Sequence, residues 1–474
     1  NLAEEIKEAL NWAYTPLHTQ MRLWCKSSVS KGVLMTSSAL PKDVIIIRNS
    51  QIKVDPFKEG VSASLTKPSL EVVTCQKQPN AAKFSPFLIP ILESLGGEPM
   101  TVLLCEMQKE AAASIRALST VVSSRAELTD EQAGELMRHM EEREPEPLLP
   151  GKAAVHTMLE CSMDTRDEYL RFKVREELDK RFLAVKQGKF EMPDSLSLMA
   201  GVDSTGTLPE GQCVIIEGGR PLVQERIALY KSPGQHPGDV RVLRAVAPTA
   251  EMEKHLAFER DGQHALIVSA VGSRSVLDMI AGSDADGDVF TVITNEGLLA
   301  LLPPEQLQPP WEPRPPSQPA VLLPKPKDLS IGELTSQMHA HLERCIEGQA
   351  LTGRVATQWK AACHHRFSQG GAKSERAIEL DYLYMLTLDS GKADALPKDF
   401  ARHLQLQLPC HLHKEPKEKD VAEARKKRAE RGAERVPTLE RMFWAVEDDE
   451  ITGFVDEAAC PPMFLDPDLL LEGF

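Results

Sequence analysis

The sequence predicts a mixed α and β chain: two β regions joined by a helical linker, then a helical C-terminal region. Three observations predict it. Short apolar runs broken by turn residues occur between residues 33 and 54 and recur between 201 and 300, while the segment between them carries helical periodicity. Ten prolines within residues 303–326 then exclude helix and central strand and mark a stiff connection. Beyond it, helical patterning returns from residue 327.

The first β region spans 1–84, with strands expected between 33 and 54 and at LEVVTC, residues 70–75. Residues 85–200 read as the helical linker. FLIPILESLGG (87–97) ends on two glycines suited to a helix C-terminus, and DEYLRFKVREELDKRF (167–182) is a long charged helical stretch. In 201–300, the runs GQCVIIE, RIALYK, VRVLRAV, HALIVSAV and DVFTVIT are separated by Gly, Pro and Asp turns. Their short spacing predicts a small closed β-barrel. Residues 301–326 form the Pro-rich connector and 327–474 the mainly helical C-terminal region. Within the latter, 414–435 has mixed charge and no apolar stripe, which fits an exposed helix or a disordered insertion.

At 474 residues with 42% hydrophobic content, the chain can bury several cores. No run of 18 apolar residues occurs and the start NLAEEIKEAL has no signal-peptide pattern, so the expectation is an intracellular protein, in nucleus or cytoplasm, with no membrane partner. Because it begins with Asn in a helical pattern, a fragment of a longer protein is expected. A net charge of −15 argues against nonspecific nucleic-acid avidity, though a local basic cleft is compatible with it. Nine cysteines without a CxxC pair predict buried free thiols. Cys363, His364 and His365 form a ligand-like cluster, yet neighbours on a helix point in different directions, so a chance grouping is the expectation.

The strongest chemical signal is DMIAGSDADGDVFTVIT (278–294), with Asp284, Asp286 and Asp288 at alternate positions. Crowded carboxylates resist joint ionisation unless a cation sits among them. An EF-hand starting at Asp284 would need Gly and Glu where Val289 and Asn295 stand, and helices where strands are predicted. An ordinary acidic Asp-Gly turn is the plain alternative. Two or three carboxylates with room for water otherwise make a Mg2+ site completed by substrate phosphates, which points to phosphoryl or nucleotidyl transfer.

GSDADGD (282–288) resembles the DxDGD signature of the cellular RNA-dependent RNA polymerases that make double-stranded RNA in RNA silencing. Further stretches are similar in the same order: IRNSQIKV (47–54), AAKFSPFLIPILESLGG (81–97), GVDSTGTLPEGQ (201–212), LYKSPGQHPGDVRVLRAV (229–246), LDSGKADALP (388–397) and LPCHLHK (408–414). The resemblance implies two double-psi β-barrels joined by the helical linker, the first incomplete at its N-terminal side because the family's Asp-Gly-x-Gly strand is missing. It implies that Asp284, Asp286 and Asp288 bind one or two Mg2+ ions on the second barrel. Arg48, Lys53 and Lys77 would face template, nascent RNA or nucleotide phosphates from the first. His236 would contact phosphate from a shaped His-Pro-Gly-Asp turn, and Arg274, in Gly-x-Arg, would clamp phosphate. Without the resemblance, Arg48 and Lys53 are surface charges on opposite faces of a strand. Departures are Val271 for a Lys, Ala285 for a Leu and Asp394 for a Gly.

The expected function is therefore copying of single-stranded RNA from nucleoside triphosphates, with silencing-pathway proteins as partners. The alternative is a non-catalytic RNA-binding paralogue of the same fold. A fragment of a multisubunit DNA-dependent polymerase would carry Asn-Ala-Asp-Phe-Asp-Gly-Asp, which residues 282–288 match less well.

Overall fold

The computed structural model describes residues 2–9, 11–25, 28–41, 44–54, 69–76, 81–123, 152–161, 166–259, 262–303, 309–310, 328–388, 404–413, 418–431 and 436–448, with isolated positions between these. Lys77, most of the Pro-rich connector and residues 389–403 lie outside the described residues.

After helix α1 (Leu2–Ala9), strands β1 (His18–Cys25), β2 (Ser28–Met35), β3 (Ile52–Val54) and β4 (Ser69–Cys75) form an antiparallel sheet in the order β3-β2-β1-β4. Among the described residues this sheet is open. One expected strand is corrected: Val44–Ile46 belongs to no ladder and is exposed, because β-branched composition supplies propensity but no hydrogen-bonding neighbour.

The linker begins with α2 (Leu88–Ser123), in which Gly97 at φ 65° and Pro99 interrupt the helix where the double glycine predicted a stop. Over Leu88–Val122 it is long and apolar enough to cross a membrane by length and composition. Half of that window is buried, as in a core helix. Helices α3 (Lys152–Glu160) and α4 (Glu168–Lys186) follow, α4 capped by Asp167, whose carboxylate accepts from the amides of Tyr169 and Leu170.

The second β region comprises β5 (Ser195–Val202), β6 (Gln212–Glu217), β7 (Arg220–Leu222), β8 (Gln224–Tyr230), β9 (Arg241–Ala245), β10 (Ala265–Val268) and β11 (Val289–Ile293), with short helices α5 (Ala250–His255) and α6 (Glu296–Leu301). Six strands close in the order β10-β5-β11-β8-β9-β6, with β6 pairing back to β10. β5 starts inside the stretch assigned to helix and was missed as a strand. Its serines obscure the apolar pattern, and Ser195 is satisfied by donating to Met192 O and accepting from Ala82 N.

Alternation explains the near-continuous apolar runs. Cys213, Ile215, Leu266, Val268, Phe290 and Val292 fill the barrel, while Val214, Ile216, Ala265 and Ile267 face outward onto Leu17, Met252 and Leu256. The C-terminal region holds α7 (Ile331–His365), α8 (Glu375–Leu388), α9 (Glu418–Arg431) and α10 (Thr438–Asp448). A second large core unites α2, α4, α7 and α8 with Leu439 and Met442 of α10.

Candidate active site

The three aspartates sit on the turn between β10 and β11, and Gly287 there adopts φ 121°, a conformation open to glycine alone at little cost. Asp288 is anchored by its carbonyl, which accepts from Ala200 N at 3.3 Å. On the approach to the turn, Ala281 at φ 51° donates its amide to Asp239 Oδ1 at 2.9 Å. Asp239 Oδ2 accepts from His236 N at 2.9 Å, so the buried carboxylate of the His-Pro-Gly-Asp turn braces the aspartate loop. Burial pushes this carboxyl up to about 7.

The open first sheet closes over the same loop. Gln20 Nε2 donates to Asp286 O at 2.6 Å, and Val33 N donates to Ala285 O at 3.2 Å. Two lysines pair with the carboxylates: Lys31 Nζ lies 2.5 Å from Asp286 Oδ2, and Lys231 Nζ lies 2.6 Å from Asp288 Oδ2. Further back, Met199 of β5 donates its amide to Gln76 Oε1 at 2.6 Å and accepts from His18 Nδ1 at 3.1 Å.

One donor oxygen from each of Asp284, Asp286 and Asp288 lies within 4.8 Å of the others. Burial, a hydrogen bond to Asp286 and the charges of Asp286 and Asp288 push the Asp284 carboxyl up to about 6, with Lys53 opposing. Burial acts the same way on Asp286, but the Lys31 contact and the Asp284 hydrogen bond outweigh it and hold Asp286 below the usual carboxylate range. An all-oxygen, crowded, anionic donor set of this kind fits a hard divalent cation.

The expected basic residues divide. Lys53, exposed on β3, is close enough to lower both Asp284 and Asp286. Arg48 precedes the 3-10 turn Asn49–Gln51, where its amide donates to Gln51 Oε1 at 2.9 Å, and burial lowers its guanidinium. Gln51 in turn donates to Val33 O at 3.1 Å, so Arg48 stands on the segment that backs β2. Arg274 is ion-paired with Asp278 on its own turn and also donates to Asp278 O at 3.0 Å. After burial, its charge is what lowers Arg241, so two guanidinium groups stand close together. His236 accepts from Gly238 N at 3.0 Å through Nδ1, and burial pushes it down to about 4. The ring is thus turned through Nδ1 to its own backbone and shapes the turn. Lys77 lies outside the described residues.

Sequence reasoning missed Lys31, Lys231 and Gln20. Lys231 was within reach, since it lies in the quoted LYKSPGQHPGD. Lys31 and Gln20 are single polar residues in strands, a pattern indistinguishable from a solvated edge. A cavity of about 480 Å3 at the far end of β11 is lined by Met107, Met192 and Leu196 together with Glu110, Glu191, Asp194 and Glu217, an acidic surround that repels polyphosphate.

Comparison with known proteins agrees on one family. A sequence model described as RNA dependent RNA polymerase matches residues 1–442. A probable RNA-dependent RNA polymerase 3 of Arabidopsis thaliana is 27% identical, with 85% of this chain and 38% of that protein aligned. A probable RNA-dependent RNA polymerase 4 of Oryza sativa subsp. japonica is 26% identical over 87% of this chain and 35% of its own length. The chain thus spans little more than a third of the curated relatives it matches. Among solved structures, the RNA dependent RNA polymerase QDE-1 from Thielavia terrestris superposes with a TM-score of 0.56 at 16% identity, covering 99% of this chain and 53% of that one. That likeness concerns the fold.

Proposed function

The chain belongs to the RNA-dependent RNA polymerase family, and we propose that it carries the catalytic core for copying single-stranded RNA into a complementary strand, the double-stranded product serving RNA silencing. In the reaction, the 3′-hydroxyl of nascent RNA would attack the α-phosphorus of a nucleoside triphosphate; the new O–P bond forms as the bond from that phosphorus to the α–β bridging oxygen breaks, the hydroxyl proton passes to solvent, and pyrophosphate leaves. Mg2+ bound by Asp284, Asp286 and Asp288 would supply a lowered hydroxyl pKa and charge stabilisation at the leaving group.

The observation that carries the reading is the convergence of two distant halves: cations from the first sheet meet carboxylates from the second barrel, with Lys31 in salt-bridge contact with Asp286. Phosphates are bound where such cations face a metal-holding set. Lys31 and Lys53 would orient the triphosphate or the nascent strand, exchanging carboxylate partners for phosphate when substrate arrives. Arg241 and Arg274 would hold phosphate, Arg274 exchanging Asp278 for it. Gln20 and Asp239 would keep the loop in register.

The test is incorporation of labelled nucleotide by the purified chain on an RNA template with and without Mg2+. Incorporation should require metal and template and should vanish in Asp288→Ala. Undiminished synthesis by that variant would remove the aspartates from the chemistry. RNA binding without incorporation by the parent chain would favour the non-catalytic paralogue, a reading against which the intact carboxylate set argues.

A further inference from the structure

At the end of α7 the rings of His364 and His365 stand edge to face with centroids 5.2 Å apart, and His365 Nε2 contacts Gln407 O at 2.7 Å. His364 also turns toward two residues that no sequence pattern associates with it. His411 comes from the 3-10 turn Cys410–Leu412, and its ring centroid lies 5.0 Å from that of His364. Glu440 comes from the first turn of α10, and its Oε2 lies 3.5 Å from His364 Nδ1. One donor atom from each of the three lies within 4.8 Å of the others. The His364 and Glu440 side chains are only 9% and 8% exposed.

We propose that His364, His411 and Glu440 bind Zn2+, tying the end of α7, the 410–412 turn and α10 together.

The geometry favours a metal over a plain ion pair. In a tetrahedral site with bonds near 2.0 Å, neighbouring ligand atoms stand about 3.3 Å apart. The His364–Glu440 separation of 3.5 Å matches this spacing and is long for a charge-assisted hydrogen bond. The His364 and His411 rings stand with centroids 5.0 Å apart beside the Glu440 carboxylate, so the three side chains can present two nitrogens and an oxygen to one point.

Nitrogen donors select zinc and disfavour magnesium, the reverse of the all-oxygen aspartate loop. Three protein ligands leave one coordination position to water. The role assigned is structural, since the ligands come from three elements distant in sequence and α10 packs on α2, where Glu93 Oε1 accepts from Thr438 N at 2.6 Å.

The test uses the full chain carrying Asp284→Asn and Asp288→Asn, so that the aspartate loop contributes no binding. After EDTA dialysis, reloading with ZnCl2 and desalting, mass spectrometric metal analysis should find one zinc per chain, and Co2+ in its place should give the intense visible bands of tetrahedral coordination. Reloading should raise the Tm. His364→Ala and the isosteric Glu440→Gln should each reduce retained zinc to a trace and abolish the Tm response; circular dichroism reports whether each is folded, and Glu440→Gln decides the matter if His364→Ala is not. Failure of the parent to retain zinc, or equal retention by folded Glu440→Gln, would overturn the proposal. Nucleotide incorporation is not the readout, so the two proposals fail separately.

Discussion

Asp284→Asn isolates the repulsion stored in the aspartate loop. Lys31 pairs with Asp286 and Lys231 with Asp288, whereas among the described residues no cation forms an ion pair with Asp284. Its carboxyl rises from 3.8 to about 6, first through burial and then through its two neighbours. The folded state therefore holds this proton more tightly than the unfolded chain does. The associated stability is fully present below the unfolded value of 3.8, declines as pH rises to about 6 and stays lost above it. A shift of that size corresponds to about 3 kcal/mol, and because Asp284 is only partly buried, solvent screening reduces it to about 1 kcal/mol. In EDTA at about pH 8, Asp284→Asn should accordingly unfold about 1 kcal/mol later than the parent in urea, with most of the difference gone near pH 4. Added Mn2+ should stabilise the parent and leave the variant unchanged, because only a competent site links cation binding to folding. Equal urea midpoints at pH 8, or equal stabilisation of both proteins by Mn2+, would refute the reasoning.

Glu93, buried against Thr101 and Thr438, is pushed from 4.5 up to about 7 by burial. Its contribution is fully present below 4.5 and lost toward 7, about 3 kcal/mol in all. Glu93→Gln should flatten the stability profile and be the more stable protein at pH 8; parallel urea-midpoint curves would exclude this. Gly287→Ala places a Cβ 2.0 Å from Gln20 Nε2 at φ 121° and should cost about 2 kcal/mol and most nucleotide incorporation. Gly206→Ala, at φ 69° with nothing within 4 Å, should cost about 1 kcal/mol and leave synthesis intact, so equal losses at both positions would discount the Gln20 contact. Lys53→Ala should reduce the slope of log affinity for single-stranded RNA against log salt by about 0.7, the share of one phosphate contact, and an unchanged slope would return Lys53 to an ordinary surface charge.

What the sequence revealed follows from how each feature is encoded. The three aspartates fall within five residues and are followed by a strand pattern, so a local motif carries them. Among the barrel strands, β6 and β10 stand out because both faces are buried and the runs are nearly all apolar, while β8, β9 and β11 keep an apolar core run between turn residues. β5 did not, since Ser195 and Ser197 break the run and their satisfaction depends on residues elsewhere, Ser195 through Ala82 and Met192. Lys31, Gln20 and Lys231 acquire meaning only when chain segments up to about 270 residues apart meet, as in the Gln20–Asp286 bond with its separation of 266. The same limit governed His364: helical direction excluded a ligand pair with His365, and nothing local pointed to His411 or Glu440. The segment 414–435, open between helix and disorder on composition, contains helix Glu418–Arg431.

The aspartate loop borrows its backbone geometry from β1 and β2, through Gln20 to Asp286 O and Val33 to Ala285 O. Cation binding and hairpin docking are therefore reciprocal by thermodynamic necessity: whatever factor docking adds to cation affinity, the cation adds to docking. A small molecule that pried the β1–β2 hairpin from the barrel would inhibit without occupying the aspartate loop, and its potency would fall as metal concentration rose.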